Sequence, residues 1–354
     1  MSLPLNCAEY EQLAERLVEP GPWAYLAGGA MDESTLRANV EAFRRWTFRP
    51  RVLVDVDVVS TETTVLGRQL SLPVLVAPIA FHGLYHADGE LATARAAAAE
   101  GTVMCVSTMT SHTHLAVAEA APGLDQWAQL YVLTDEGATR AHLDDVVAAG
   151  CTAIVLTVDT PVVGRRERDL RVGFGVPASL PLPYAAAALG NVPHSPATHN
   201  RLFSASLTWR DIEWIAAATK LPVLLKGVLT REDALLAVEH GAAGVIVSNH
   251  GGRQLDGVRS SISALPKIAQ AVGSDLEVYM DGGVRSGLDV LKAMALGARA
   301  CFVGRAWAYA LGAGGEATVA RMLATLRSEL SVAMILTGCA NLADAGRELL
   351  DSEA

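Results

Sequence analysis

No stretch of the 354-residue sequence approaches the roughly 18 uninterrupted apolar residues of a membrane span. The nearest, Val176 to Leu189, is shorter and broken by three prolines, so it reads as a loop and membrane contact is not expected. The N-terminus, MSLPLNCAEYEQLAERL, lacks the basic flank and apolar run of a signal peptide. The cysteines, Cys7, Cys105, Cys151, Cys301 and Cys339, have no CxxC or zinc-type spacing. Free, buried thiols in a reducing cytoplasm are expected. Basic excess is also missing: 28 Lys and Arg stand against 38 Asp and Glu, a net charge of −10. Such a chain has no general attraction for nucleic acid or anionic lipid, and any anionic ligand needs a local basic pocket.

Half the residues are apolar, with 31 Gly and 15 Pro, which suits one large core with many tight connections. Eight short apolar runs carry that core: 72–80, 102–108, 126–132, 153–159, 221–227, 243–249, 276–282 and 298–304. Each is nearly continuous in apolar character, as strands of a parallel sheet buried on both faces should be. A helical stretch rich in Ala, Leu, Glu and Arg follows each one, and the spacing is that of successive βα units. Eight such units, without a GxGxxG after the first strand, predict a (β/α)8 TIM barrel rather than a doubly wound sheet. A single domain over 1–354 follows, with N-terminal helices and a hairpin over 1–71, a barrel core over 72–310 and C-terminal helices over 311–354. Asp32 or Ser34 would cap the second N-terminal helical stretch, and ETTVLGRQLSLPV would close the barrel floor. The connection from Thr160 to Lys220 is too long for an ordinary loop and predicts a lid or substrate loop; a disordered insertion is the alternative.

Barrel chemistry sits at the C-terminal ends of the strands, and here those ends are polar. They carry Ser107, Gln129 with Tyr131, Thr157 with Asp159, Lys226, the Ser248-Asn249-His250 run, Asp281-Gly282-Gly283-Val284-Arg285 and Gly304-Arg305. Charges crowded at one mouth are costly unless a ligand compensates them. The glycines and Arg285 and Arg305 after the last two strands suit a phosphate group. His250, followed by two glycines and by Arg253, suits a base beside an anion clamp, and Asp159 is placed to pair with it and favour its imidazolium. Arg166 would hold a carboxylate or pair with its own acidic neighbours. His112 and His114 read as a solvated helix start, and no metal is assigned.

SNHGGRQLDG, LTVDTPVVGRRERD, LPVLLKGVLT, DGGVRSGLDVLKAMALGA and FVGR, in this order, closely resemble the FMN-dependent 2-hydroxy-acid oxidases and dehydrogenases. The resemblance implies an FMN cofactor. Its ring would lie on Pro78, Ile79 and Ala80, bonded by Ser107, Gln129 and Thr157, with Lys226 and Ser248 near its pyrimidine edge. Its ribityl and phosphate groups would rest on Asp281, Gly282, Gly283, Arg285, Gly304 and Arg305. It further implies a substrate carboxylate held by Arg166 and Arg253 with Tyr25 and Tyr131, and His250 as the base. Two electrons would pass to the flavin, leaving a 2-oxo acid, and O2 would return as H2O2. Members of the family form homotetramers.

Met109 stands where glycolate oxidases carry tryptophan, and Phe81 and Val163 are placed near the substrate side chain. AGGA at 27–30 and PIAFHGLYHADGE are more similar to hydroxymandelate oxidases than to the plant glycolate enzymes. The expected substrate is therefore an aromatic or medium-sized (S)-2-hydroxy acid, with lactate or glycolate as alternatives. Ala80 favours an oxidase. The segment VPASLPLPYAAAALG, in the region where membrane-bound relatives carry an anchor, keeps a quinone-linked dehydrogenase open.

Overall fold

The computed structural model describes residues 3–185 and 200–352. Part of the loop between the fourth and fifth expected strands, including most of the AAAALG and PHSPATHN runs, lies outside the described residues.

The eight expected runs form the eight strands of a closed parallel barrel: Val74–Val76, Val103–Val106, Asp125–Leu130, Ala153–Thr157, Val223–Val228, Gly244–Val247, Glu277–Met280 and Ala300–Val303. They pair in chain order, and the last closes on the first through Cys301 opposite Val74. The TIM-barrel expectation therefore holds. Nearly every strand residue is buried, because one face points into the barrel and the other is covered by helices. Leu75, Cys105, Trp127, Val155, Tyr279 and Phe302 fill the interior, with Trp127 edge-on to Tyr279 at 5.8 Å. The barrel is thus a packed core with space only at its ends.

The floor is closed by the expected hairpin. Thr63–Val65 pairs with Arg68–Leu70 across a Leu66–Gly67 turn, and Val65 and Leu70 are buried against the barrel interior. The Leu66 amide donates to Glu277 at the start of the seventh strand.

The N-terminal helices Cys7–Leu17, Pro20–Ala27 and Ser34–Glu41 fold back to the mouth. Neither Asp32 nor Ser34 caps the third as expected: Glu33 takes the cap position, with φ of 64° and no side-chain capping bond. Asp256, just past the sixth strand, accepts instead from the Ser34 and Thr35 amides and the Ser34 hydroxyl. This carboxylate satisfies helix donors that an N-cap would normally take. Helix Arg305–Gly314 packs on Cys7–Leu17, and helix Glu316–Thr337 follows it. A short pairing of Trp46–Phe48 with Leu350–Ser352 ties the two termini together.

Candidate active site

At the mouth of the barrel the strand ends form two hydrogen-bonded groups. Ser107 donates to Gln129 Oε1 at 3.1 Å, and Gln129 Nε2 donates to Thr157 at 3.0 Å. On the next strand, in register with Thr157, Lys226 has its Nζ 3.0 Å from Asp281 Oδ2 and donates to Ser248 at 3.1 Å. Burial disfavours the lysine's charge, but Asp281 and Asp159 more than offset this, and its ammonium is held above the usual lysine range. A permanent cation is thereby fixed in the floor of the cavity.

His250 follows the sixth strand and has a φ of 59°, in the left-handed region that ordinary side chains avoid. Its amide donates to Ser248 at 3.0 Å. Its Nδ1 lies 2.9 Å from Asp159 Oδ1 and its Nε2 lies 3.4 Å from the Tyr131 hydroxyl. A carboxylate at Nδ1 fixes a tautomer in which Nδ1 carries hydrogen and Nε2 presents a lone pair. The pairing with Asp159 and its pull towards the imidazolium are as expected, but that pull does not prevail. Burial comes first and lowers the imidazole's proton affinity, Lys226 and Arg166 act the same way, and Asp159 recovers only part, so His250 sits below the usual histidine range. The neutral imidazole is thereby favoured over the imidazolium. For Asp159, burial opposes ionisation, but His250, Lys226 and Thr160 outweigh it and hold the carboxyl below its ordinary value.

Arg166 and Arg253 flank the ring of Tyr25, with their guanidinium carbons 5.5 and 4.5 Å from its centroid. Arg253 donates to the backbone carbonyls of Tyr25 and Gly28, and Arg166 Nε donates to the Arg253 carbonyl at 3.4 Å. Neither makes an ion pair among the described residues. Of its two acidic neighbours, Glu167 pairs with Arg165 and Arg171, while Asp169 shares the cavity wall with Arg166.

At the far end, Arg305 donates to the carbonyls of Leu26, Gly28 and Gly251. Burial, with Arg253 and Arg285 nearby, lowers its pKa to about 10. Arg285 lies beside it without a carboxylate ion pair among the described residues. Gly283 has a φ of 90°, and a Cβ there would stand 2.0 Å from the Asn39 carbonyl oxygen. The DGG turn therefore needs glycine to let the N-terminal segment close over it as well as to approach a ligand.

All these groups open onto one cavity with an empty volume of about 1410 Å³, including its mouth. Pro78, Ile79, Ala80, Phe81, Met109, Val163, Gly282 and Gly304 also line it. Of the residues expected from sequence, only Asp159 and Ser248 stand behind its wall, where they hold His250 and Lys226. Phe174, Val176, Phe203, Tyr85 and Asp169 line the cavity too, and sequence reasoning missed them. Phe174 stacks on Tyr25 at 4.9 Å, and Phe203 lies 4.4 Å from Tyr131. Their only signal was the length of the connection that carries them. His114 is a correction: it is fully buried, its ring stacked with His142 and Tyr184 and its Nε2 3.1 Å from His142 Nε2. His112 meets Glu90 at 3.0 Å.

The model of the FMN-dependent dehydrogenase family matches residues 14–352. The chain belongs to this family. As a member of the FMN-dependent dehydrogenases it is 46% identical over 355 residues to an L-lactate oxidase of Nostoc sp., covering 97% of each chain. It is 45% identical to glycolate oxidase 3 of Oryza sativa subsp. indica, covering 98% of this chain and 96% of that one. A mandelate oxidase solved with (S)-4-hydroxymandelic acid superposes with a TM-score of 0.93 at 40% identity over 99% of both chains.

The residues present fit the family's FMN. Asp281 Oδ1 is buried without a partner, which leaves an acceptor for a ribityl hydroxyl. Arg285 and Arg305 offer guanidiniums with no ion-paired carboxylate among the described residues, which suits a phosphate. Lys226 supplies fixed positive charge where negative charge would develop on a reduced ring.

Proposed function

We propose that this protein oxidises an (S)-2-hydroxy acid with an aromatic or medium-sized side chain to the 2-oxo acid, with O2 reduced to H2O2. The observation that carries this reading is His250 Nε2, turned towards Tyr131, in a cavity that also presents Arg166 and Arg253, neither of them ion-paired among the described residues. Arg166 and Arg253 hold the substrate carboxylate, with Tyr25 and Tyr131 fixing its orientation. His250, braced by Asp159, receives at Nε2 the proton that leaves the substrate. Bound FMN supplies the two-electron acceptor. Pro78, Ile79, Ala80, Ser107, Gln129, Thr157 and Lys226, with Ser248 behind, hold its ring. Asp281, Gly282, Gly283, Arg285, Gly304 and Arg305 hold its chain and phosphate.

Phe81, Met109, Val163, Phe174, Val176 and Phe203 give the cavity an apolar wall. Such a wall favours an aromatic or branched substrate side chain over the hydrogen of glycolate. The 46% identity to a lactate oxidase supports lactate as a second reading.

The deciding experiment is anaerobic bleaching of the flavin band by lactate, glycolate, (S)-mandelate and 4-hydroxymandelate, followed by admission of air. Bleaching by the mandelates with rapid recolouring and peroxide is expected. Sluggish recolouring would make the enzyme a dehydrogenase with another acceptor, and no bleaching by any of the four would overturn the reading.

We further propose a cytoplasmic homotetramer. The five buried free thiols support the compartment. The assembly is supported by exposed apolar side chains at Val52, Leu53 and Val58, near Val332, Ile335 and Leu336 and joined to them by the Arg51 amide bonding the Thr337 carbonyl.

A further inference from the structure

Some of the charges around the mouth are matched within the protein. Glu33 pairs with Arg168 at 2.6 Å and Lys226 with Asp281 at 3.0 Å, while Asp159 takes the His250 ring as a hydrogen-bond partner at 2.9 Å. Five charged groups on the cavity wall have no ion-pair partner among the described residues: Arg285 and Arg305 at the end assigned to the phosphate, and Arg166, Arg253 and Asp169 at the end assigned to the substrate. Asp169 is 5% exposed, and its Oδ1 has no hydrogen-bond partner despite its burial. A buried carboxylate is ordinarily bonded; here burial holds the Asp169 carboxyl above its ordinary range, and Arg253 and Arg166 pull it back towards the charged form.

We propose that Asp169 is a specificity-determining counter-charge, which leaves the arginine pair with one net positive charge and so selects substrates carrying a single carboxylate. The inference rests on the assignment of Arg166 and Arg253 as the carboxylate clamp. One substrate carboxylate brings the three groups to neutrality. A second would enter a neutral, low-dielectric cavity and be desolvated with nothing to compensate it. Asp169 acts through the field at the clamp and takes no part in proton transfer. Without its charge, the pair would keep an unbalanced guanidinium, and a dianion would gain more than a monoanion.

The test uses the flavin-loaded enzyme with butyrate and succinate, which share a four-carbon chain, differ by one carboxylate and lack the hydroxyl that is oxidised. Their affinities are read from the perturbation of the flavin spectrum, so no turnover is needed. The unmodified enzyme should bind butyrate more tightly than succinate. Asp169→Asn and Asp169→Ser should each shift the succinate-to-butyrate affinity ratio towards succinate by about tenfold. Asp169→Glu, which keeps the charge, should leave the ratio within about twofold of the unmodified enzyme. A ratio that stays constant across all the variants that bind flavin, or an unmodified enzyme that prefers succinate, would overturn the proposal. Failure of the clamp assignment shows differently: the unmodified enzyme would bind neither acid, and no 2-hydroxy acid would bleach it.

Discussion

His250 combines a strained backbone, a carboxylate at one ring nitrogen and an open second nitrogen, and each feature serves the same end. The left-handed backbone aims the ring into the cavity, and Asp159 holds it there. Because burial, Lys226 and Arg166 lower its proton affinity, the neutral form that can accept a proton persists below the ordinary histidine pKa of about 6.5. The acid limb of kcat/KM for the free enzyme should accordingly fall below pH 6.5; a limb centred above that value would show that Asp159 dominates. His250→Ala should retain bound flavin and lose roughly 10²- to 10⁴-fold in the rate of flavin reduction, measured by stopped-flow absorbance. Undiminished reduction would remove His250 from the role of base.

Among the elements, the strands and their polar ends were legible because both signals are local. A doubly buried strand shows as a continuous apolar run, and its last residues reveal what the mouth needs. What escaped depends on distant partners. Phe203 reaches Tyr131 because the Thr134 amide bonds the Leu202 carbonyl and the Ser204 amide bonds the Val132 carbonyl. That docking leaves no periodicity in the long connection. His114 reads as solvated until His142 and Tyr184 are placed against it. Helix Ser34–Glu41 likewise lacks its own cap because Asp256 supplies the acceptors from the segment that follows His250, so the cover of the site and the loop of the base are one joined unit. Asp256→Ala should cost about 1 to 2 kcal/mol, read as a lowered denaturant midpoint. No change would mean that solvent replaces the cap.

For the whole molecule, Glu90 links the loops after the first two strands. It accepts from the His82 and Ser111 amides and meets His112 Nδ1 at 3.0 Å. Burial opposes its ionisation, but His82, His112 and Ser111 prevail and hold it down to about 2, against 4.5 for an ordinary glutamate. A group depressed in the folded state contributes its full stability above the unfolded value and loses it as protons bind. Stability should therefore fall as pH drops from about 4.5 towards 2, and Glu90→Gln should flatten that fall by an amount on the order of 3 kcal/mol, measured by urea unfolding across pH. An equally steep fall in the variant would assign it to other carboxyls. The five thiols carry a different kind of consequence. All are buried and unpaired, and burial raises each one, Cys7 and Cys339 to about 11 and Cys151 to about 12. Peroxide attacks the thiolate, which these cysteines scarcely populate at neutral pH. Under the proposed oxidase function, peroxide leaving the mouth would meet no readily populated thiolate among these cysteines, so the working life of the enzyme would be decoupled from the damage such chemistry inflicts on a less guarded chain.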